Sequence, residues 1–181
     1  MEYIIIAVIA LIIIYFLVQY NGFVKLNNKV KEAFSTMDVY LKKRWDLIPN
    51  LVEVVKGYAS HESSLLEEIT KLRSSIYSNM STSEKIDANE EITNNLSKIM
   101  AIAENYPELK ASQNFSELAS QLSKIEDEIA NSRKYYNAIV RKLNTKIEMF
   151  PSNIVAKIFR FKPSKMFEAN IEEKKNVNVD I

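Results

Sequence analysis

Residues 30–59 read VKEAFSTMDVYLKKRWDLIPNLVEVVKGYA, and one proline in that stretch decides the topology of the chain. Apolar side chains recur in alternating threes and fours through Val30, Phe34, Met37, Leu41, Trp45, Ile48, Val52, Val55 and Ala59. The rhythm continues through Glu62, Leu66, Ile69, Arg73 and Ile76. Such spacing marks one face of a helix or a coiled-coil seam. Pro49 sits inside it without disturbing its phase, although proline in a helix interior costs about 3 kcal/mol. Two routes are open. One long helix kinks at Pro49, or one helix ends near Asp46 and the next begins there, with Asp46 as cap and Pro49 in its first turn. A reversal at 46–49 gives four long segments and brings Phe150 back to the end from which the chain set out. A kink alone leaves Phe150 at the far tip.

Further along, Leu118, Leu122, Ile125, Ile129, Ser132, Tyr136, Ile139, Leu143, Ile147 and Phe150 repeat the pattern, and Ile92, Leu96, Ile99, Ala103 and Tyr106 do so more briefly. A polar turn at 79–84 offers Thr82 or Ser83 as a helix cap, and Pro107, Pro151 and Pro163 punctuate the rest. With 2 Gly and 4 Pro in 181 residues there is too little turn chemistry for a many-stranded sandwich or barrel. The predicted class is all-α: an N-terminal transmembrane helix followed by an antiparallel up-and-down bundle of long helices, four by the reversal route. Residues 1–24 form the anchor, 25–168 the bundle domain and 169–181 a charged tail.

The anchor is Tyr3 to Val18, YIIIAVIALIIIYFLV, sixteen apolar residues in succession, and the first Lys is Lys25. At 1.5 Å per residue the uncharged run from Tyr3 to Val24 spans roughly 33 Å, the thickness of a bilayer's hydrocarbon core. A cleaved signal peptide wants a positive start and a small-residue cleavage site, and a core helix wants a polar face. The run has none of these. Lys25, Lys29 and Lys31 follow it while no Lys or Arg precedes it, so the bulk of the chain is expected in the cytoplasm.

The formal net charge of +1 conceals a strong segregation. Residues 25–56 hold seven basic and four acidic groups, residues 57–130 six and thirteen, residues 131–165 nine and one, and residues 166–181 two and four. A stretch of net charge +8 beside an anionic cytoplasmic leaflet gains about 1 kcal/mol per cation close to the surface. The four-segment route places it there.

The blocks YNGFVKLNNKVKEAFSTMDVYLKKRWDLIPNLVEVVKGYASHE (20–62), ENYPELKASQNFSELASQL (104–122) and IANSRKYYNAIVRKLNTKIEMFPSNIVAKIFRF (129–161), with Met166-Phe167-Glu168, resemble the LemA family over about residues 15 to 168. The resemblance implies a bacterial plasma or inner membrane protein with one N-terminal anchor and an antiparallel, mostly four-helix bundle. It implies no established enzymatic activity, and only loose links to envelope or membrane-stress systems.

Three groups of residues are candidates for function. Asp38, Lys42, Lys43, Arg44, Asp46, Asn50 and Glu53 lie three and four apart on neighbouring turns. They are either a solvated charge ladder or a docking surface for a protein partner at the tip distal to the membrane. Glu62 and Arg73 fall on the apolar stripe, and Arg133 lies beside Ile129 and Tyr136; buried charges must be paired, so these three are candidates for an internal ion pair that sets register. Lys157, Arg160, Lys162 and Lys165 alternate with Ile154, Val155, Ile158, Phe159 and Phe161. That pattern suits a membrane interface, or a segment folded back to close the open end of the bundle with Phe161 and Phe167 as plugs.

With no Cys and one His there is no thiolate nucleophile, Cys-based zinc site or His cluster, and His61-Glu62 is not an HExxH motif. No catalytic residue, cofactor or metal is expected, and no nucleic-acid module is present. The expected role is a membrane-anchored, non-enzymatic scaffold or adaptor of the bacterial cell envelope. Its partners would be the lipid bilayer and an unidentified membrane or cytoplasmic protein. The competing role is an accessory or regulatory subunit of a membrane protease or envelope-stress system.

Overall fold

The computed structural model describes residues 1–59, 67 and 77–167. Among them the regular structure is all helical: α1 (Glu2–Tyr58), a single 3-10 turn (Tyr77–Asn79), α2 (Thr82–Asn105), α3 (Pro107–Ala111), α4 (Gln113–Glu148) and α5 (Ser152–Ile158). The all-α bundle follows from the spacing of apolar residues, and these positions are the buried ones. Val30, Phe34, Met37, Leu41, Trp45, Ile48, Val52, Val55 and Ala59 are all buried, as are Ile92, Leu96, Ile99 and Ala103, and Leu122, Ile129, Tyr136, Ile139 and Leu143. Tyr106, Leu118, Ile125, Ser132 and Ile147 are half-buried, and Phe150 is 78% exposed, because α4 ends at Glu148 and the stripe ends with it.

Pro49 does not separate two helices. It lies inside α1, and Asp46 caps nothing; it sits in mid-helix and pairs with Lys42 one turn earlier. The missing backbone hydrogen bond costs about 3 kcal/mol. Against it stand Trp45, Ile48, Leu51, Val52 and Val55, all buried on either side of the proline. Each contributes roughly 1.5–3 kcal/mol, so packing outweighs the local penalty.

The Tyr77 hydroxyl donates to Asp38 at 2.5 Å, and its ring lies 5.3 Å from that of Trp45. Tyr77 thus lies beside the Asp38–Trp45 stretch of α1. α2 then sets out in the direction of α1: Lys85 meets Asp38, while Arg44 meets Asn89 and Thr93. The turn expected at 46–49 is thus not there, and α1 and α2 run in the same direction where they meet.

The helix starts follow local chemistry. The cap of α2 is Ser81, one residue before the two expected. Its hydroxyl accepts from the Glu84 backbone N–H, and the Glu84 carboxylate accepts from the Ser81 N–H. This capping box satisfies two of the helix's orphan donors, which neither Thr82 nor Ser83 is placed to do. Pro107 opens α3, where its missing N–H costs nothing.

Two compact units result, one of Met1–Thr36 with Ser132–Met166 and one of Met37–Asn131 with Phe167. In the first, α4 runs antiparallel to α1: Tyr136 meets Phe34 with ring centroids 5.8 Å apart, and ten residues later Lys146 lies over the Phe23 ring at 4.9 Å. In the second, Leu41, Ile48, Leu51, Ile86, Ile99, Leu109 and Phe115 belong to the core.

Candidate functional site

The first unit carries the long apolar run. Every position from Tyr3 to Ile14 is exposed, and α1 is long and apolar enough there to cross a membrane. Where the run ends, the C-terminal part of the chain closes around α1. Phe161 stacks on Phe23 at 4.9 Å, and Tyr20 contacts Phe159 at 4.8 Å and Phe161 at 5.8 Å.

Hydrogen bonds fix this closure. Ser164 N–H donates to the Asn144 side-chain oxygen at 2.9 Å, and the Asn144 amide donates back to the Ser164 carbonyl at 3.0 Å. The Tyr136 hydroxyl donates to the Lys165 carbonyl at 2.9 Å, and burial raises its pKa above the ordinary tyrosine value. The Ser152 hydroxyl donates to the Lys146 and Met149 carbonyls across the turn after α4.

The end of α5 is a Schellman motif. Phe161 N–H donates to the Ala156 carbonyl at 2.9 Å and Arg160 N–H to the Lys157 carbonyl at 3.3 Å. Arg160 takes the left-handed position with φ of 59°, where glycine is usual. With the backbone so held, Lys157, Arg160, Lys162 and Lys165 are all exposed, beside the exposed apolar side chains of Ile154, Ile158 and Phe159. Phe161 closes on Phe23 at the same time, so the two expected roles of this segment are compatible in one geometry.

A hollow of about 590 Å³ opens beside this segment, bounded by Gln19 of α1, by Arg141, Lys142 and Lys146 near the end of α4, and by Met149 and Phe150. Gly22 makes room for one of these cations. A Cβ at residue 22 would collide with the Lys146 ammonium. Glycine in a helix interior costs about 1 kcal/mol relative to alanine, and here it leaves space that the Lys146 ammonium occupies.

In the second unit the dominant polar feature is Arg44, which is 1% exposed. Its guanidinium donates to the Thr93 hydroxyl at 2.8 Å, the Glu126 carboxylate at 2.6 Å and the Asn89 backbone carbonyl at 2.8 Å, as well as to the Asn89 side-chain oxygen. One side chain of α1 thereby ties α2 and α4. Beside it, Asp38 accepts from Tyr77 and from Lys85 at 2.7 Å, and the Lys85 ammonium lies 4.5 Å from the centre of the Tyr77 ring. Burial, and then the bond to Asp38, raise the Tyr77 pKa well above the ordinary value. A groove of about 490 Å³ runs between α2 and α4, lined by Leu96, Met100, Leu122 and the carboxylates of Glu104 and Glu126 among others.

The expected docking row therefore divides. Arg44 is buried and committed within the protein, and it leaves that row. Asp38 is half-buried and occupied. Lys42, Lys43, Asp46, Asn50 and Glu53 are exposed, with Lys42 against Asp46 and Lys43 near the Tyr40 ring. Glu62 and Arg73 lie outside the described residues; Arg133 is half-buried. Among the described residues of the second unit, Arg44–Glu126 is an ion pair with its cation fully buried, which was not expected. Its signal was present: Met37, Leu41, Arg44, Ile48, Leu51 and Val55 alternate in fours and threes, and every one is buried. The group of Arg141, Lys142 and Lys146 was visible only as part of the total of +8.

Among the described residues there is no cluster of three or more His, Cys, Asp or Glu able to hold a metal ion. The LemA family model matches residues 33–181. The chain belongs to the LemA family. It is 27% identical over 161 residues to Protein LemA of Metamycoplasma hominis, covering 88% of this chain and 73% of that one. It is also 25% identical over 178 residues to magnetosome protein MamQ 2 of Paramagnetospirillum magneticum, and over 177 residues to magnetosome protein MamQ of Magnetospirillum gryphiswaldense. Those matches cover 84% and 83% of this chain and 65% of each magnetosome protein, just under two thirds of its length. The family match begins at residue 33 and so takes in Arg44 and its partners, the basic hollow's Arg141, Lys142 and Lys146, and the segment from Lys157 to Lys165.

Proposed function

We propose that this LemA-family protein is a membrane-anchored, non-enzymatic helical scaffold or adaptor of the cell envelope, crossing the bilayer once with the bulk of the chain in the cytoplasm. One observation carries the reading: α1 is a single 57-residue helix whose first part is apolar and exposed and whose later part supplies a buried seam. Anchor and bundle share one element with no linker between them. A long exposed apolar surface is intolerable in water and ordinary in lipid. The Arg44 guanidinium, which holds Thr93, Asn89 and Glu126, fits a role in keeping the bundle together.

The partner surface is the exposed row Lys42, Lys43, Asp46, Asn50 and Glu53. Photo-crosslinking residues placed at Asp46 and Asn50 in intact membranes test it. One protein captured in stoichiometric amount from both positions, and lost when Lys42, Lys43 and Glu53 are changed to Ala, is the expected result. Turnover of a substrate by the purified protein alone would refute the scaffold reading. Capture of a membrane protease whose activity changes when this protein is removed would favour the accessory-subunit role instead.

A further inference from the structure

The hollow beside Gln19 combines cations with exposed apolar side chains. Three cations, Arg141, Lys142 and Lys146, line it, and its lining holds no carboxylate. Lys146 is half-buried and fixed over the Phe23 ring, in space that Gly22 leaves free. Met149 and Phe150, 58% and 78% exposed, form its other border. A lone anion would need the cations and have no use for two exposed apolar side chains. An amphiphile with an anionic head and acyl chains would use both. Gln19 follows directly on the last residue of the apolar run, so the hollow lies where hydrocarbon gives way to headgroups if α1 spans the bilayer.

We propose that this hollow is a binding site for one anionic glycerophospholipid, with Arg141, Lys142 and Lys146 around the headgroup phosphate and Met149 and Phe150 against the upper acyl chains. The site rests on the membrane-anchored reading and adds a ligand class to it. It is distinct from the exposed cations of 157–165, which are not among the residues that bound this hollow and contribute a diffuse attraction to an anionic surface. A site that holds a phosphate between three cations selects by charge, whereas a diffuse surface gains a similar increment from each cation near the leaflet.

The test uses the full chain, purified from membranes containing equal amounts of phosphatidylglycerol and phosphatidylcholine, with retained lipids counted by native mass spectrometry. Phosphatidylglycerol retained over phosphatidylcholine on the order of tenfold is expected. The triple substitution Arg141→Gln, Lys142→Gln and Lys146→Gln should abolish the preference, while Arg141→Lys with Lys142→Arg and Lys146→Arg keeps it. Lys157→Gln, Arg160→Gln, Lys162→Gln and Lys165→Gln together should leave the retained count unchanged. Equal retention of the two lipids, or loss of preference only in the quadruple variant, overturns the site. Displacement of phosphatidylglycerol by excess inorganic phosphate would reassign the hollow to a free anion and overturn the lipid. Carbonate extraction of the same membranes separates the two levels. A protein that stays in the pellet but shows no preference refutes the site alone, and one released to the supernatant refutes the anchor on which it rests.

Discussion

Arg44 shows why a charge pattern read along a helix misplaces a residue. In the row of ionic side chains from Asp38 to Glu53 it resembles a rung of a solvated ladder, yet its position places it on the innermost edge of the seam, between Leu41 and Ile48. Burial there demands compensation, and Asn89, Thr93 and Glu126 supply it from two other helices. Their arrival from 45 to 82 residues away is a tertiary event that periodicity does not encode. Changing Arg44 to Ala leaves Asn89 and Glu126 without their donor and should cost about 3 kcal/mol in urea unfolding. Glu126 is 38% exposed, so water screens its part of the pair, and Glu126→Gln should cost no more than about 1 kcal/mol.

Tyr77 gives a pH dependence of definite sign. Its pKa is higher in the folded state than its ordinary value of 10.0, so the stability it contributes is complete below about pH 10 and is lost as pH rises beyond that. The urea midpoint of the native protein should therefore hold steady up to about pH 10 and fall progressively as pH rises above it. Tyr77→Phe should flatten that fall, while Tyr136, shifted in the same direction, keeps a remainder.

Individual elements were legible to different degrees. The stripes of α1, α2 and α4 could be read because 3.6-residue periodicity reports burial directly. Pro49 could not be resolved by the same means, since both routes preserve the phase. The decision lay in packing on both sides of the proline, which sequence spacing does not weigh. With Pro49 inside a helix held by that packing, Pro49→Ala should raise stability by about 1–3 kcal/mol and leave the helix content unchanged by circular dichroism.

Capping chemistry is local, and Glu84 three residues after Ser81 is the signal that favours Ser81 over Thr82 and Ser83 at α2. Ser81→Ala should cost about 1 kcal/mol. Arg160 holds a left-handed backbone at the end of α5, which an L-residue with a Cβ adopts at a cost of about 1 kcal/mol. Arg160→Gly should recover that amount in thermal unfolding while weakening association of the protein with anionic vesicles. A gain in stability paired with a loss of membrane affinity would mark Arg160 as a residue placed for its charge.

At the scale of the whole molecule, the distribution of charge was readable as a segregation of counts but not as a site. The stretch 131–165 carries nine cations and one carboxylate, and the counts alone give no reason to set Arg141, Lys142 and Lys146 apart from Lys157, Arg160, Lys162 and Lys165. What separates them is the turn after α4 and the glycine at residue 22 of another helix, which together form a hollow around three of the cations and leave the other four in the open.

The proposed topology rests on α1: an apolar first part in the bilayer, the basic C-terminal stretch at the cytoplasmic headgroups, and the remainder of the chain in the cytoplasm. The chain contains no Cys, so a single engineered thiol reports its own location without background. Ser97 is exposed on α2 and suits the purpose. With Ser97→Cys in the full-length protein, a membrane-impermeant maleimide should leave intact cells unlabelled and label the membrane fraction fully once the cells are opened. Labelling in intact cells would contradict the cytoplasmic placement of the chain and, with it, the contact of the basic stretch with the inner leaflet.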